Sequence, residues 1–192
     1  VSCGMNDVIH GAKGVPLDQY KANMTEIVTR CQQAGIRVIL FTTTTAGAGD
    51  SPQSQQLGAY SDFVRELARE KQCVLIDLYP AFVNALKQAD TLHGLTGDGV
   101  HMTPEGDQLI ARTVLAGLGL DDKQIGQAKT TWLDLPDGGS LRARVDIELN
   151  KKFFAASSTL TLRQRERLLE AAAAAKRPTL NHWSKELLLS LM

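Results

Sequence analysis

Two short β-rich runs, IRVILFT at 36–42 and CVLID at 73–77, are separated by one long amphipathic helical pattern, and this alternation limits the fold more than any other feature of the chain. Runs this short and this rich in Val, Ile and Leu are typical of strands buried on both faces of a parallel sheet. The first apolar stretch, Val1–Cys3, runs into Gly4 and reads as a third strand. The spacing predicts a helix over 18–33, with Tyr20, Met24, Ile27, Val28 and Cys31 on one stripe and Gly35 as its stop. A second helix over about 55–71 places Leu57, Tyr60, Phe63, Val64 and Leu67 inward. Pro80 suits the first turn of a third helix, with Phe82, Val83 and Leu86 facing the core. Strand, helix, strand, helix, strand requires right-handed crossovers, so the fold class is α/β with helices on both faces of a parallel sheet, a three-layer arrangement of the flavodoxin type.

Downstream, Thr103-Pro104 opens a strong helix, because Thr is a good N-cap and Pro fits the first helical position. Ile110, Val114 and Leu118 form its stripe. Asp121 caps a further helix in which Ile125, Ala128 and Trp132 share a face. After the turn sequence LPDGGS the character changes. LRARVDIEL, 141–149, alternates apolar and charged residues like a half-exposed, antiparallel strand. Thr161 and Gln164 form a capping box for a helix that ends by Pro178, and a short helix covers 181–191. The expected organisation is a domain over 1–120, a helix and linker over 121–140, and a basic strand–helix–helix extension over 141–192.

Charge supports that division. Residues 1–140 carry 11 Lys/Arg against 16 Asp/Glu, and residues 141–192 carry 10 against 5, so a formally neutral chain is acidic first and basic last. The basic segment interleaves its cations with Glu and Asp and lacks interleaved aromatics, which fits a solvated helix face rather than a nucleic-acid surface. Cys3, Cys31 and Cys73 form no metal-binding pair, and each lies in an apolar stretch, so buried free thiols are expected. No apolar run is long enough to cross a bilayer.

Two loops carry the chemistry. Asp98-x-x-His101 sits in a Gly-rich segment just before a helix, at the expected carboxyl edge of the sheet, where open α/β sheets hold their sites. A carboxylate that accepts a hydrogen bond from one imidazole nitrogen fixes the tautomer and leaves the other nitrogen free to take a proton. Taken alone, the pair also fits an Asp capping a turn beside a surface His. Gly4-x-Asn6-Asp7 follows the first strand. Asn6 could donate its amide to a developing oxyanion, or the four residues could simply make a turn. His10 could line a pocket near this loop. His93 and Asp98 could be imagined around a metal, but no second ligand pair supports one.

In this order, with two strand–helix units between them, the loops are more specific. The chain resembles the SGNH (GDSL-type) hydrolase superfamily: GMNDV is similar to its G-x-N-D block and DGVHMTPEG to its D-x-x-H block, over about residues 1–120. The resemblance implies Asn6 as an oxyanion donor, with Gly4 and Asp7 supporting its loop, and His101 and Asp98 as base and orienter of a Ser-His-Asp triad. No metal or organic cofactor is needed. The family often has Pro directly after the His, where this chain has Met102 and then Pro104 two positions on, a departure that affects loop shape.

The family's nucleophilic Ser and a second-block Gly both precede G-x-N-D, so the resemblance implies that both lie upstream of Val1. Ser2 falls inside a predicted strand, and Ser51 and Ser54 lie in a polar loop without a G-x-S-x-G or G-D-S context. The expectation is therefore an N-terminally truncated serine ester hydrolase, inactive by itself, acting in full on a small-molecule ester such as an acetylated carbohydrate. In that fold the nucleophile's strand lies beside the strand ending in G-x-N-D, so Val1–Gly4 is expected to be an exposed sheet edge open to self-association. A non-catalytic SGNH-like binding module is the alternative. A flavodoxin-like regulatory or nucleotide-binding domain also fits the alternation, but it leaves Asp98 and His101 unexplained and lacks a phosphate loop.

Overall fold

The computed structural model describes residues 1–47, 50–87, 94–134 and 161–174. They fall into two compact units. The first contains residues 1–47, 50–87, 98–101 and 109–120, and the second contains 94–97, 102–108, 121–134 and 161–174.

In the first unit, β1 (Ile39–Phe41) pairs in parallel with β2 (Val74–Ile76), Leu40 opposite Leu75. On the other side of β1, Val1 donates its amino group to the Ile39 carbonyl at 2.6 Å, and its own carbonyl accepts from Phe41 N at 3.0 Å. These two bonds flank Leu40 in the pattern of a parallel ladder. Val1–Cys3 thus starts alongside β1, but the pairing stops after one residue. The α/β class holds, and among the described residues its sheet is smaller than the three full strands expected.

Helices α1 (Met5–Ile9), α2 (Leu17–Gln33), α3 (Pro52–Glu70) and α4 (Leu78–Leu86) belong to this unit. The α2 stripe buries Tyr20, Met24 and Val28, which meet Leu57, Tyr60, Val64 and Leu67 of α3 and Leu40 of β1 in one core. Tyr20 and Tyr60 pack with ring centroids 4.6 Å apart. Three expectations are corrected. Ile27 is 40% exposed because it stands off the narrow stripe that faces α3. The strands are three residues long, Ile36 ahead of β1 is exposed, and so is Val74 at the start of β2. The cysteines are free but not buried: Cys3 is exposed, and Cys31 and Cys73 are half-buried at the margin of the core they pack against. α3 begins at Pro52, three residues earlier than its apolar stripe indicates, because Ser51 caps it by accepting from Ser54 N at 3.1 Å.

The second unit contains the start of α5 (Pro104–Gly117), α6 (Asp122–Trp132) and α7 (Leu162–Ala174). Thr103 caps α5 as expected, its hydroxyl accepting from Gly106 N at 3.4 Å and donating to the Gly94 carbonyl at 2.7 Å. Asp121 and Gln124 form a reciprocal capping box on α6, and Thr161 and Gln164 do so on α7. Arg163 binds Asp134 at 3.1 Å. The strand expected over 141–149, the helix over 181–191, and His93 lie outside the described residues.

Candidate active site

The carboxyl end of β1 continues into four threonines, 42–45, all buried. Thr42 ties this edge together. Its hydroxyl donates to Asp77 Oδ1 at 2.9 Å and accepts from Tyr79 N at 3.0 Å. Asp77 also takes a two-pronged grip from Arg65, with Nε at 2.8 Å and Nη2 at 2.9 Å. That bidentate bond raises the Arg65 pKa further. Asp77 is thereby a structural anchor where β2 meets α4, although a carboxylate at this edge would be a natural suspect for chemistry.

The G-x-N-D loop is held at the same edge. Gly4 is buried at φ 117°, and a Cβ placed there would lie 3.0 Å from Thr43 Cγ2 and 3.4 Å from Tyr60, so only glycine lets the chain turn here. The turn leads directly into α1. Asp7 Oδ1 accepts from Val15 N at 3.1 Å, and Gly14 packs so closely on the Asp7 backbone that a Cβ would collide with the Asp7 carbonyl. Tyr20 donates to the Cys3 carbonyl at 3.2 Å. Burial, reinforced by the nearby Cys3 and Asp7, holds the Tyr20 phenol far above its ordinary value, so it stays a donor. With its neighbours fixed, Asn6 is exposed, and its side chain makes no hydrogen bond among the described residues. His10 is exposed at the end of α1.

Asp98 and His101 come together. His101 Nδ1 lies 2.7 Å from Asp98 Oδ2, while Asp98 Oδ1 accepts the backbone N–H of His101 at 2.8 Å and of Val100 at 3.0 Å. The His101 backbone donor, then its ring, then the Val100 donor hold the Asp98 carboxyl well below the usual carboxylate range. An ionised carboxylate can only accept, so Nδ1 carries the proton and Nε2 is left as the basic nitrogen. The imidazole side chain is 85% exposed, with Nε2 open to an incoming group. Asn6 and the dyad form no direct hydrogen bond, but both loops lie against the segment that follows β1, one with Gly4 beside Thr43 and the other with Gly99 bonded to Gly47.

Where the polar segment expected as a loop enters α3, the N-cap Ser51 and first-turn Ser54 have a role the sequence hid. Ser54 is fully buried and both accepts from Ala46 N at 3.0 Å and donates to the Ala46 carbonyl at 2.8 Å. Ser51 donates to the same carbonyl at 2.7 Å. Both hydroxyls are therefore engaged in structure. The signal available in the sequence was Ser-Pro-x-Ser ahead of a helix, a capping pattern. Among the described residues no group of three or more His, Cys, Asp or Glu could hold a metal ion.

Residues 1–109 match the model of the GDSL-like lipase/acylhydrolase family. An acetylxylan esterase of Geobacillus stearothermophilus is 28% identical, with 63% of this chain and 58% of that enzyme covered. The chain thus spans little more than half the length of that relative. The crystal structure of an acetylxylan esterase from the same organism is similar at a TM-score of 0.57 and 26% identity, covering 62% of this chain and 58% of that one. An α/β hydrolase from the metagenome of Lake Arreo, Spain, is similar at 0.55 and 25% identity, covering 62% and 57%. Three structures of the Geobacillus esterase are catalytic mutants that replace a serine, an aspartate and a histidine, the last two three positions apart.

Proposed function

The chain belongs to the GDSL-like lipase/acylhydrolase family, and from that premise we propose that it carries the acid–base half of a serine ester hydrolase whose nucleophile stands upstream of Val1. The observation that carries the reading is the Asp98–His101 contact at 2.7 Å, with Nδ1 committed to the carboxylate and Nε2 open. Two further points support it. The Geobacillus esterase has catalytic aspartate and histidine positions at the same spacing. Ser51 and Ser54 spend their hydroxyls on Ala46.

In this reading His101 Nε2 takes the proton of the attacking hydroxyl as its oxygen bonds to the ester carbonyl carbon. Asp98 holds the ring in place and stabilises the imidazolium that forms. The carbonyl oxygen becomes an oxyanion, and the Asn6 side-chain amide donates to it. His101 then returns the proton to the leaving alcohol. A water, deprotonated by the same nitrogen, releases the acyl group and restores the hydroxyl. No step calls for a metal or an organic cofactor. Gly4 and Asp7 serve by fixing the Asn6 loop.

The substrate we propose is a small acyl ester, an acetyl group on a carbohydrate, following the acetylxylan esterases that the chain resembles. The test is a substrate panel on the polypeptide that includes the residues before Val1. Acetate release from acetylated xylo-oligosaccharides should exceed hydrolysis of octanoyl esters at least ten-fold in kcat/KM. A preference for the longer acyl chain would reassign the substrate, and binding of the oligosaccharide without turnover would favour a non-catalytic binding module. Residues 141–192 are proposed to be an extension outside this hydrolase domain.

A further inference from the structure

Gly47 donates its N–H to the Gly99 carbonyl at 2.7 Å, and Gly99 is the residue between Asp98 and Val100, the two partners of the first Asp98 turn bond. This places one end of the His101 loop on the loop that leaves β1. Both glycines have positive φ, 61° and 91°, and a Cβ on Gly99 would lie 3.2 Å from Gly47 N and Cα. The two backbones approach this closely because Gly99 has no side chain, whereas at Gly47 the positive φ, not crowding, favours glycine.

Gly47 could not aim its N–H without support. Its neighbour Ala46 is gripped at both backbone groups by Ser54 and a second time at its carbonyl by Ser51. Ser54 is in turn held from its own carbonyl by the Tyr79 hydroxyl at 2.8 Å, and Tyr79 N binds Thr42. The chain of contacts therefore runs from the strand edge through Tyr79 and Ser54 to Ala46, then through Gly47 to Gly99 and the Asp98–His101 turn. Within that chain Thr42, Ala46 and Ser54 are buried. His101 is 85% exposed on its side chain, so burial cannot hold it in place, and its loop needs an external fix.

We infer that Ser54 is a positioning residue for His101: through Ala46 it orients the Gly47 N–H, whose bond to Gly99 sets the turn that keeps Asp98 on Nδ1. The inference rests on the hydrolase reading for its purpose, but not for its test, since the histidine tautomer can be measured without turnover.

The test uses residues 1–192 and the imidazole ¹⁵N spectrum at about pH 8.5, well above the usual histidine pKa of about 6.5, together with amide exchange at Gly47. In the native chain the Nδ1–H form of His101 should dominate. In Ser54→Ala the Nδ1–H share should fall at least two-fold and Gly47 exchange should quicken at least ten-fold. Gly99→Ala breaks the other end of the same bond while leaving Ser54 and α3 intact. It should produce the same paired change and carries the test should Ser54→Ala fail to fold. Val28→Ala, a core truncation in α2, should lower the melting temperature without moving either signal. Faster Gly47 exchange with an unchanged tautomer would overturn the inference, as would an equal tautomer change in Val28→Ala. Either result would leave the hydrolase reading standing, and absence of esterase activity in the longer polypeptide would leave the tautomer result standing.

Discussion

Asp98 holds His101 at two points at once, its Oδ1 on the backbone N–H at 2.8 Å and its Oδ2 on ring Nδ1 at 2.7 Å. One carboxylate therefore fixes both where the histidine's backbone lies and which way its ring faces. The expected consequence is a pH dependence of defined sign. The Asp98 carboxyl titrates below its unfolded value of about 4. The stability it adds is present in full above that value and is lost as pH falls below it, toward the folded pKa. A ¹³C titration should find Asp98 still ionised at about pH 3, where a free aspartate is mostly protonated. A midpoint near 4 would contradict the double contact.

Gly4 should tolerate no side chain. At φ 117° with Thr43 Cγ2 3.0 Å from a would-be Cβ, Gly4→Ala should cost about 1–3 kcal/mol in urea unfolding. Gly11→Ala, at φ 55° with open space around it, should cost less, about 1 kcal/mol.

Asn6→Ala should leave the fold intact, because the side chain is exposed and makes no hydrogen bond among the described residues. In the longer polypeptide the same change should lower kcat by about 10²–10³ with KM nearly unchanged, the behaviour of an oxyanion donor. An equal rise in KM with kcat preserved would make Asn6 a ground-state binding group instead.

The Val1–Cys3 segment offers an edge. Val1 is bonded to β1, while the backbone N–H and C=O of exposed Ser2 have no partner among the described residues. Such groups invite pairing with another strand. Residues 1–192 should self-associate at low micromolar concentration in sedimentation velocity, and Ser2→Pro, which removes one donor, should weaken that association. A monomer at those concentrations would count against the edge as an interface.

Much of the fold was legible because helix periodicity reports burial directly. Tyr20, Met24 and Val28, then Leu57, Tyr60, Val64 and Leu67, are the core that their spacing indicates. Caps at Thr103, Asp121 and Thr161 were equally readable, being local hydrogen bonds between near neighbours. Strand length was not, because Ile36 is apolar whether or not a neighbour covers it, and it lies exposed outside β1. The Asp98–His101 contact was visible from a three-residue spacing. The Gly47–Gly99 bond was not, since it joins two backbones far apart in sequence, and neither glycine advertises its partner.

The most direct test of the account compares acetyl-ester hydrolysis by residues 1–192 with that by the polypeptide carrying the residues before Val1, each with and without His101→Ala. The account predicts no turnover above background from residues 1–192, and turnover from the longer chain that falls by about 10³–10⁴ in kcat when His101 is removed. Hydrolysis by residues 1–192 that is lost on replacing Ser2 or Ser51, or turnover by the longer chain that survives His101→Ala, would contradict it.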